Sequence, residues 1–199
     1  AYWADGYEWR AREARLNAFP QFRTTLDGLG IHFLHVASPH AGALPLVMTH
    51  GWPGSVVEFL KVIGPLADPP AHGGDARDAF HVVCPTLPGF GYSDKPARKG
   101  WGVRRVAEAW SSLMQRLGYE RYVAQGGDWG SIVTTCIGIQ DPTHCAGIHL
   151  NMPIVLPDPA TMASLTPAEQ SALAAMKHYQ DWDSGYSKQQ STRPQTVGY

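Results

Sequence analysis

The sequence contains no run of about 18 consecutive apolar residues, so no segment of it has the length to cross a bilayer as a helix. It also lacks any charge imbalance. Sixteen Lys and Arg against 17 Asp and Glu leave a net charge of −1, which removes the electrostatic case for nucleic acid or an anionic membrane surface. Cysteine is scarce. Cys84, Cys136 and Cys145 are an odd set without paired spacing, which speaks against a disulfide scaffold and for a reducing compartment. The simplest role for all three is that of small buried hydrophobes. There is no internal repeat, no low-complexity tract, and no basic, apolar and cleavable segment at the start. The chain opens Ala1-Tyr2-Trp3 rather than with Met, so processing, or excision from something longer, is expected.

What is present describes a globular protein. Seven Trp, eight Tyr and six Phe are too many for a solvated polymer. The 199 residues can bury a core, and at roughly 100–200 residues per domain they suggest one domain, or one plus a fragment. Residues 2–18 mix aromatics and charges at helical spacing and predict an amphipathic helix. Residues 21–37 alternate around Gly28-Leu29-Gly30 and predict a hairpin, with Ile31 and Phe33 toward a core and Val36 as a third candidate. Four apolar runs, 44–50, 80–86, 121–127 and 145–151, read as buried strands; helices are expected at 55–64, 103–117 and 130–140 between them. This alternation predicts an α/β fold, a mostly parallel sheet covered on both faces and entered through an antiparallel hairpin. Three prolines between 153 and 159 then mark a linker. Thr166-Pro167-Ala168-Glu169 starts a helix running to about Trp182, with a polar segment after it.

Chemistry concentrates in three loops. Gly126-Gly127-Asp128-Trp129-Gly130-Ser131 lies between a strand and a helix, where a small-x-nucleophile-x-small pattern makes a sharp turn that lifts the central side chain above the sheet. With Asp128 at the centre, the nucleophile would be a carboxylate that attacks sp³ carbon and forms an alkyl ester, which excludes an ordinary serine esterase or protease. The competing role for Asp128 is to cap the following helix. His50-Gly51-Trp52-Pro53-Gly54-Ser55 follows the first buried strand. In α/β hydrolases the oxyanion donors are the amide after the nucleophile and one from this loop, here Trp129 and Trp52. Pro53 would stiffen the loop, Gly51 and His50 would support it, and His50 is expected to bond loop backbone rather than take part in catalysis. Pro85-Thr86-Leu87-Pro88-Gly89-Phe90-Gly91-Tyr92-Ser93 completes the series.

With HGWPGS, LPGFGYS and GGDWGS in this order, the chain resembles the epoxide hydrolases of the α/β-hydrolase superfamily, in the branch of the microsomal and juvenile-hormone enzymes. The opening YEWR…LNAFPQF…LDGLGIHFLH is similar to that branch's N-terminal segment, and the resemblance covers essentially all of the chain. It implies an α/β-hydrolase fold, incomplete, with an N-terminal segment at 1–20, a core of the first six strands at 21–152, and a linker with the start of a helical cap at 153–199. It implies that Asp128 opens an epoxide and that Tyr186, in Gly185-Tyr186-Ser187-Lys188-Gln189-Gln190…Arg193-Pro194-Gln195-Thr196, matches the first of two cap tyrosines that protonate the epoxide oxygen. A phenol with a pKa near 10 stays protonated for that task. The partners implied are a small-molecule epoxide and water; no cofactor, no metal and no nucleic acid is implied.

Hydrolysis of the ester would need a histidine and an orienting acid, which in this fold follow the nucleophile in the chain. Only His144, His149 and His178 come after Asp128, and none follows a late strand. The base, the acid and the second tyrosine are therefore expected beyond residue 199, since nothing supports Tyr199 in that role. Two alternatives stay open: a haloalkane dehalogenase, which shares the Asp-Trp turn, and a non-catalytic fragment that keeps only the fold. The oligomeric state is open, a dimer included. The expected location is the cytoplasm, or a membrane if an anchor precedes residue 1.

Overall fold

The computed structural model describes residues 1–155, 157–193 and 195–196. Tyr199, and Pro194 of the Tyr186 motif, lie outside the described residues. The chain forms two compact units, Ala1–Ile154 and Val155–Tyr199.

The first unit holds a six-stranded sheet: β1 (Gln21–Leu26), β2 (Leu29–Val36), β3 (Leu44–Thr49), β4 (Phe80–Pro85), β5 (Tyr122–Gly126) and β6 (Cys145–Leu150), in spatial order β1-β2-β4-β3-β5-β6. β2 runs antiparallel to β1 and β4, and the β4-β3-β5-β6 series is parallel. The hairpin turns on Asp27-Gly28, both at positive φ, rather than on Gly28-Leu29-Gly30. Asp-Gly suits the two-residue turn whose twist matches its strands, and this frees Leu29 and Gly30 to join β2.

Side chains alternate between the two faces as a buried sheet requires. Ile31, Phe33, Val47 and Val83 face one core, with Trp110 and Leu113 of helix α4 (Val103–Arg116) and Val133 and Ile137 of α5 (Trp129–Gln140). Leu34, Leu46, Met48, Val82 and Cys84 face the other, under Val56, Phe59 and Ile63. The stretch expected to be a helix at 55–64 is a 3₁₀ turn, Val56–Phe59, followed by the short α3 (Ile63–Ala67).

The N-terminal helix is broken in two, α1 (Tyr2–Asp5) and α2 (Trp9–Asn17), neither with a buried residue. Gly6 ends α1, and the aromatics pack on one another instead of on the core: Tyr7 meets Tyr2 and Trp3 edge-on, and Arg12 stacks over its ring. β6 also departs from expectation. Of its residues only Cys145 is buried, because β6 is the edge of the sheet among the described residues.

In the second unit Thr166 caps α6 (Pro167–His178) through a reciprocal capping box with Glu169. A π-helical turn over Tyr179–Asp183 follows, and the polar segment after it is itself helical, α7 (Gly185–Thr192). Among the described residues no helix is long and apolar enough to cross a membrane.

Trp110 is fully buried and its indole N–H donates to Thr49 Oγ1 at 3.1 Å, tying α4 to the end of β3. Trp110→Ala should lower stability by about 3–5 kcal/mol. Ile139→Ala, on an exposed face of α5, should cost less than about 0.5 kcal/mol. Urea titration of the two variants checks this ranking.

Candidate active site

Loops leave the carboxyl ends of β3, β4 and β5 side by side. The chain steps from β3 to β4 on one side and returns to β5 on the other, so the sheet's topological switch point falls between β3 and β5. A crevice forms there because successive loops diverge. Asp128 follows β5 and Trp52 follows β3, and the two strands are in register up to the pair Thr49 and Gly126. The three motif loops therefore converge on one end of the sheet.

Asp128 has φ 51° and ψ −126°, outside the ordinary wells for a residue with a Cβ. The surroundings enforce this turn. Gly130 lies against the carbonyl of Thr49, where a Cβ would collide with backbone, so α5 starts in direct contact with the end of β3. Gly51 lies as closely against the Asp128 carboxylate. Asp128 occupies the N-cap position of α5, yet its side chain makes no capping bond. Instead Oδ1 accepts the Trp52 N–H at 2.7 Å, across the crevice. The carboxylate is thus directed at the neighbouring loop, and helix capping is not its role. Trp129 is the first residue of α5, where amides have no intrahelical acceptor and the helix favours negative charge. Pro53 follows Trp52 through a cis peptide bond.

His50 is fully buried. Its Nε2 accepts the Leu87 N–H at 3.1 Å, so Nδ1 carries the proton and donates to the Gly51 carbonyl at 3.0 Å. Burial holds its pKa below the ordinary value, only partly offset by the Gly51 bond. With both nitrogens committed to backbone, His50 joins the loops after β3 and β4 and has no lone pair left to act as a base.

Glu58 was not singled out from the sequence. Its carboxylate lies against Gly54, in the space that a Cβ there would take. Burial raises its pKa and the charge of Asp128 adds to this, while the facing amides of Gly51 and Ser55 oppose it. Loop 51–55 is therefore held between two carboxylates, Asp128 and Glu58. The signal was present in Ser55-x-x-Glu58, a capping-box pattern, and Ser55 Oγ does accept the Val57 N–H.

The later histidines sit elsewhere. His144 pairs with Asp141, which also accepts the Tyr122 hydroxyl at 2.7 Å; this cluster lies at the amino ends of β5 and β6, opposite Asp128. His149 is exposed on β6 rather than buried within a strand. His178 belongs to the second unit, 3.9 Å from Asp183. Tyr186 is also in that unit, on α7, exposed, with its hydroxyl 3.3 Å from that of Tyr179. The bond to Tyr186, followed by its electrostatic influence, raises the Tyr179 pKa.

Residues 45–191, well over half of the chain, match the family described as alpha/beta hydrolase fold. The chain belongs to the alpha/beta hydrolase fold family. Residues 1–59 match a second family, the epoxide hydrolase N terminus. A putative epoxide hydrolase of Stigmatella aurantiaca is 60% identical over all of the chain and 45% of its own length. Epoxide hydrolase 1 of Sus scrofa is 37% identical over all of the chain and 48% of its own length. The solved epoxide hydrolase of Aspergillus niger superposes with a TM-score of 0.78 at 36% identity, over 99% of this chain and 51% of that one. The chain spans about half the length of the curated relatives it matches.

The histidine linking the loops makes a testable point. A His whose folded pKa is depressed takes up protons in the unfolded state first, so it destabilises the fold as pH falls below the ordinary 6.5. Following the His50 Cε1–H resonance with pH should show a midpoint below 6.5, and a midpoint at or above that value would contradict the assigned bonding.

Proposed function

We propose that the chain carries the nucleophile of an epoxide hydrolase, with Asp128 as the attacking carboxylate. The observation that carries this is the 2.7 Å bond from the Trp52 amide to Asp128 Oδ1, made by a side chain at positive φ that leaves its own helix uncapped. The bond divides the work between the two oxygens. Oδ1, engaged by the amide, stays the carbonyl oxygen, and Oδ2 attacks the epoxide carbon from the side opposite its C–O bond. That bond breaks, and the Tyr186 phenol gives its proton to the departing oxygen, leaving a hydroxyalkyl ester on Asp128. Water then adds to the ester carbonyl. The negative charge develops on Oδ1, where the amides of Trp52 and Trp129 receive it. Collapse releases the diol, restores the carboxylate, and returns a proton to the tyrosinate.

The names of the relatives support an epoxide over an alkyl halide, since a halide leaves without a proton and would not need Tyr186. The water-activating histidine and its acid are assigned to residues other than those described here, because His50 is fully committed and His144 is at the wrong end of the sheet. Without that base the ester should persist.

Incubation with styrene oxide, followed by mass measurement, should therefore show one added epoxide on the peptide containing Asp128. Asp128→Asn should abolish the adduct while leaving the melting temperature within a few degrees. An adduct that survives in Asp128→Asn would exclude this nucleophile, and chloride release from a 1-chloroalkane would favour a dehalogenase.

A further inference from the structure

Beside Asp128 lies a cavity of about 400 Å³ walled by the rings of Trp52, Phe90, Trp101 and Trp129, with Leu87 and Val133 among its aliphatic residues. Two of the lining residues are Trp52, whose amide bonds to Asp128, and Trp129, its neighbour in the chain, so the cavity adjoins that carboxylate. No charged side chain lines it among the described residues, and the indole N–H groups are the sole polar side-chain atoms. A charged or strongly hydrated substituent would lose water there without replacement. A flat apolar group would meet several aromatic side chains there, and aromatic pairs are favoured beyond plain area burial.

Trp101 differs from the other three rings in how it is held. It stands just before α4, whose N-cap is Gly102. The Arg105 guanidinium carbon lies 4.7 Å from the centre of its ring. Arg105 is itself anchored, donating from Nε to Asp27 in the turn of the β1–β2 hairpin. A guanidinium fixed by a carboxylate is a rigid plate on which an indole stacks. The Asp27–Arg105–Trp101 chain thus connects the hairpin turn to the cavity wall.

We propose that Trp101, clamped by Arg105 and Asp27, is a specificity-determining residue that makes this cavity the seat of a flat aromatic substituent on the epoxide. The proposal rests on the reading of Asp128 as nucleophile only in that it places the substituent beside that carboxylate. Arg105 acts through the ring and is a positioning residue.

The test uses stable diols, so that binding is separated from alkylation. In ¹H–¹⁵N spectra of the 199-residue chain, 1-phenyl-1,2-ethanediol should shift the indole N–H signals of Trp52, Trp101 and Trp129 and leave those of Trp3 and Trp9 unmoved. At the same concentration 1,2-propanediol should shift none of them. Trp101→Ala should weaken the phenyl diol about tenfold, and Trp101→Phe should hold it within about threefold. Arg105→Ala, at a partly exposed site, should fall between them with the fold intact. Phenyl diol binding that is unchanged in Trp101→Ala, or shifts confined to other tryptophans, would overturn the proposal; if Trp101→Ala does not fold, equal binding by wild type and Arg105→Ala does the same. Diol binding as expected with no adduct on Asp128 would sink the nucleophile reading alone.

Discussion

The hydrogen bond from the Trp52 amide to the Asp128 carboxylate is the contact around which the first unit is arranged. It spans the gap between two parallel strands whose loops diverge, so it needs β3 and β5 to be neighbours and in register. It needs α5 to start hard against the end of β3, which only a glycine at position 130 permits. It needs Gly51 to leave space for the carboxylate, and a residue at position 128 that tolerates φ near 51°. A turn of that kind costs on the order of 1–3 kcal/mol and persists where the surroundings over-determine it. Here the buried packing of β3, β5 and α5 does so.

The same contact explains the electrostatic pattern. Loop 51–55 offers backbone amides to a carboxylate on each side, with Asp128 facing the crevice and Glu58 against Gly54. His50, beneath, stays neutral because both nitrogens bond to backbone in a dry environment. A protonated imidazole there would lose the Leu87 bond and bring a buried charge. The loop is thus ordered by its own peptide groups, and the side chains of Trp52 and Trp129 remain free to wall the adjoining cavity.

Much of this was legible in the residues. The strands at 44–49, 80–85 and 122–126 show as short apolar runs because helices cover both of their faces, and the turn at Asp128 shows because close helix–strand approach demands small residues at fixed offsets. What was not legible depended on partners distant in sequence. β6 has the composition of a buried strand, but among the described residues it pairs only with β5 and stays largely exposed. Residues 2–18 carry helical spacing, but Gly6 and an aromatic cluster that closes on Tyr7 divide them. Glu58 was visible as a capping box, though not that its carboxylate would press on the loop carrying the Trp52 amide. The Arg105–Trp101 clamp joins residues four apart, but its anchor, Asp27, comes from a hairpin 78 residues away.

The central claim is that the carboxylate of Asp128, and not a water molecule, forms the first bond to carbon. Incubating the chain with styrene oxide in ¹⁸O-labelled water tests it most directly. Attack by the carboxylate leaves an unlabelled hydroxyalkyl ester on Asp128, with no diol formed ahead of it. Formation of ¹⁸O-labelled diol while Asp128 stays unmodified would show that water had reached carbon itself, and would contradict the account.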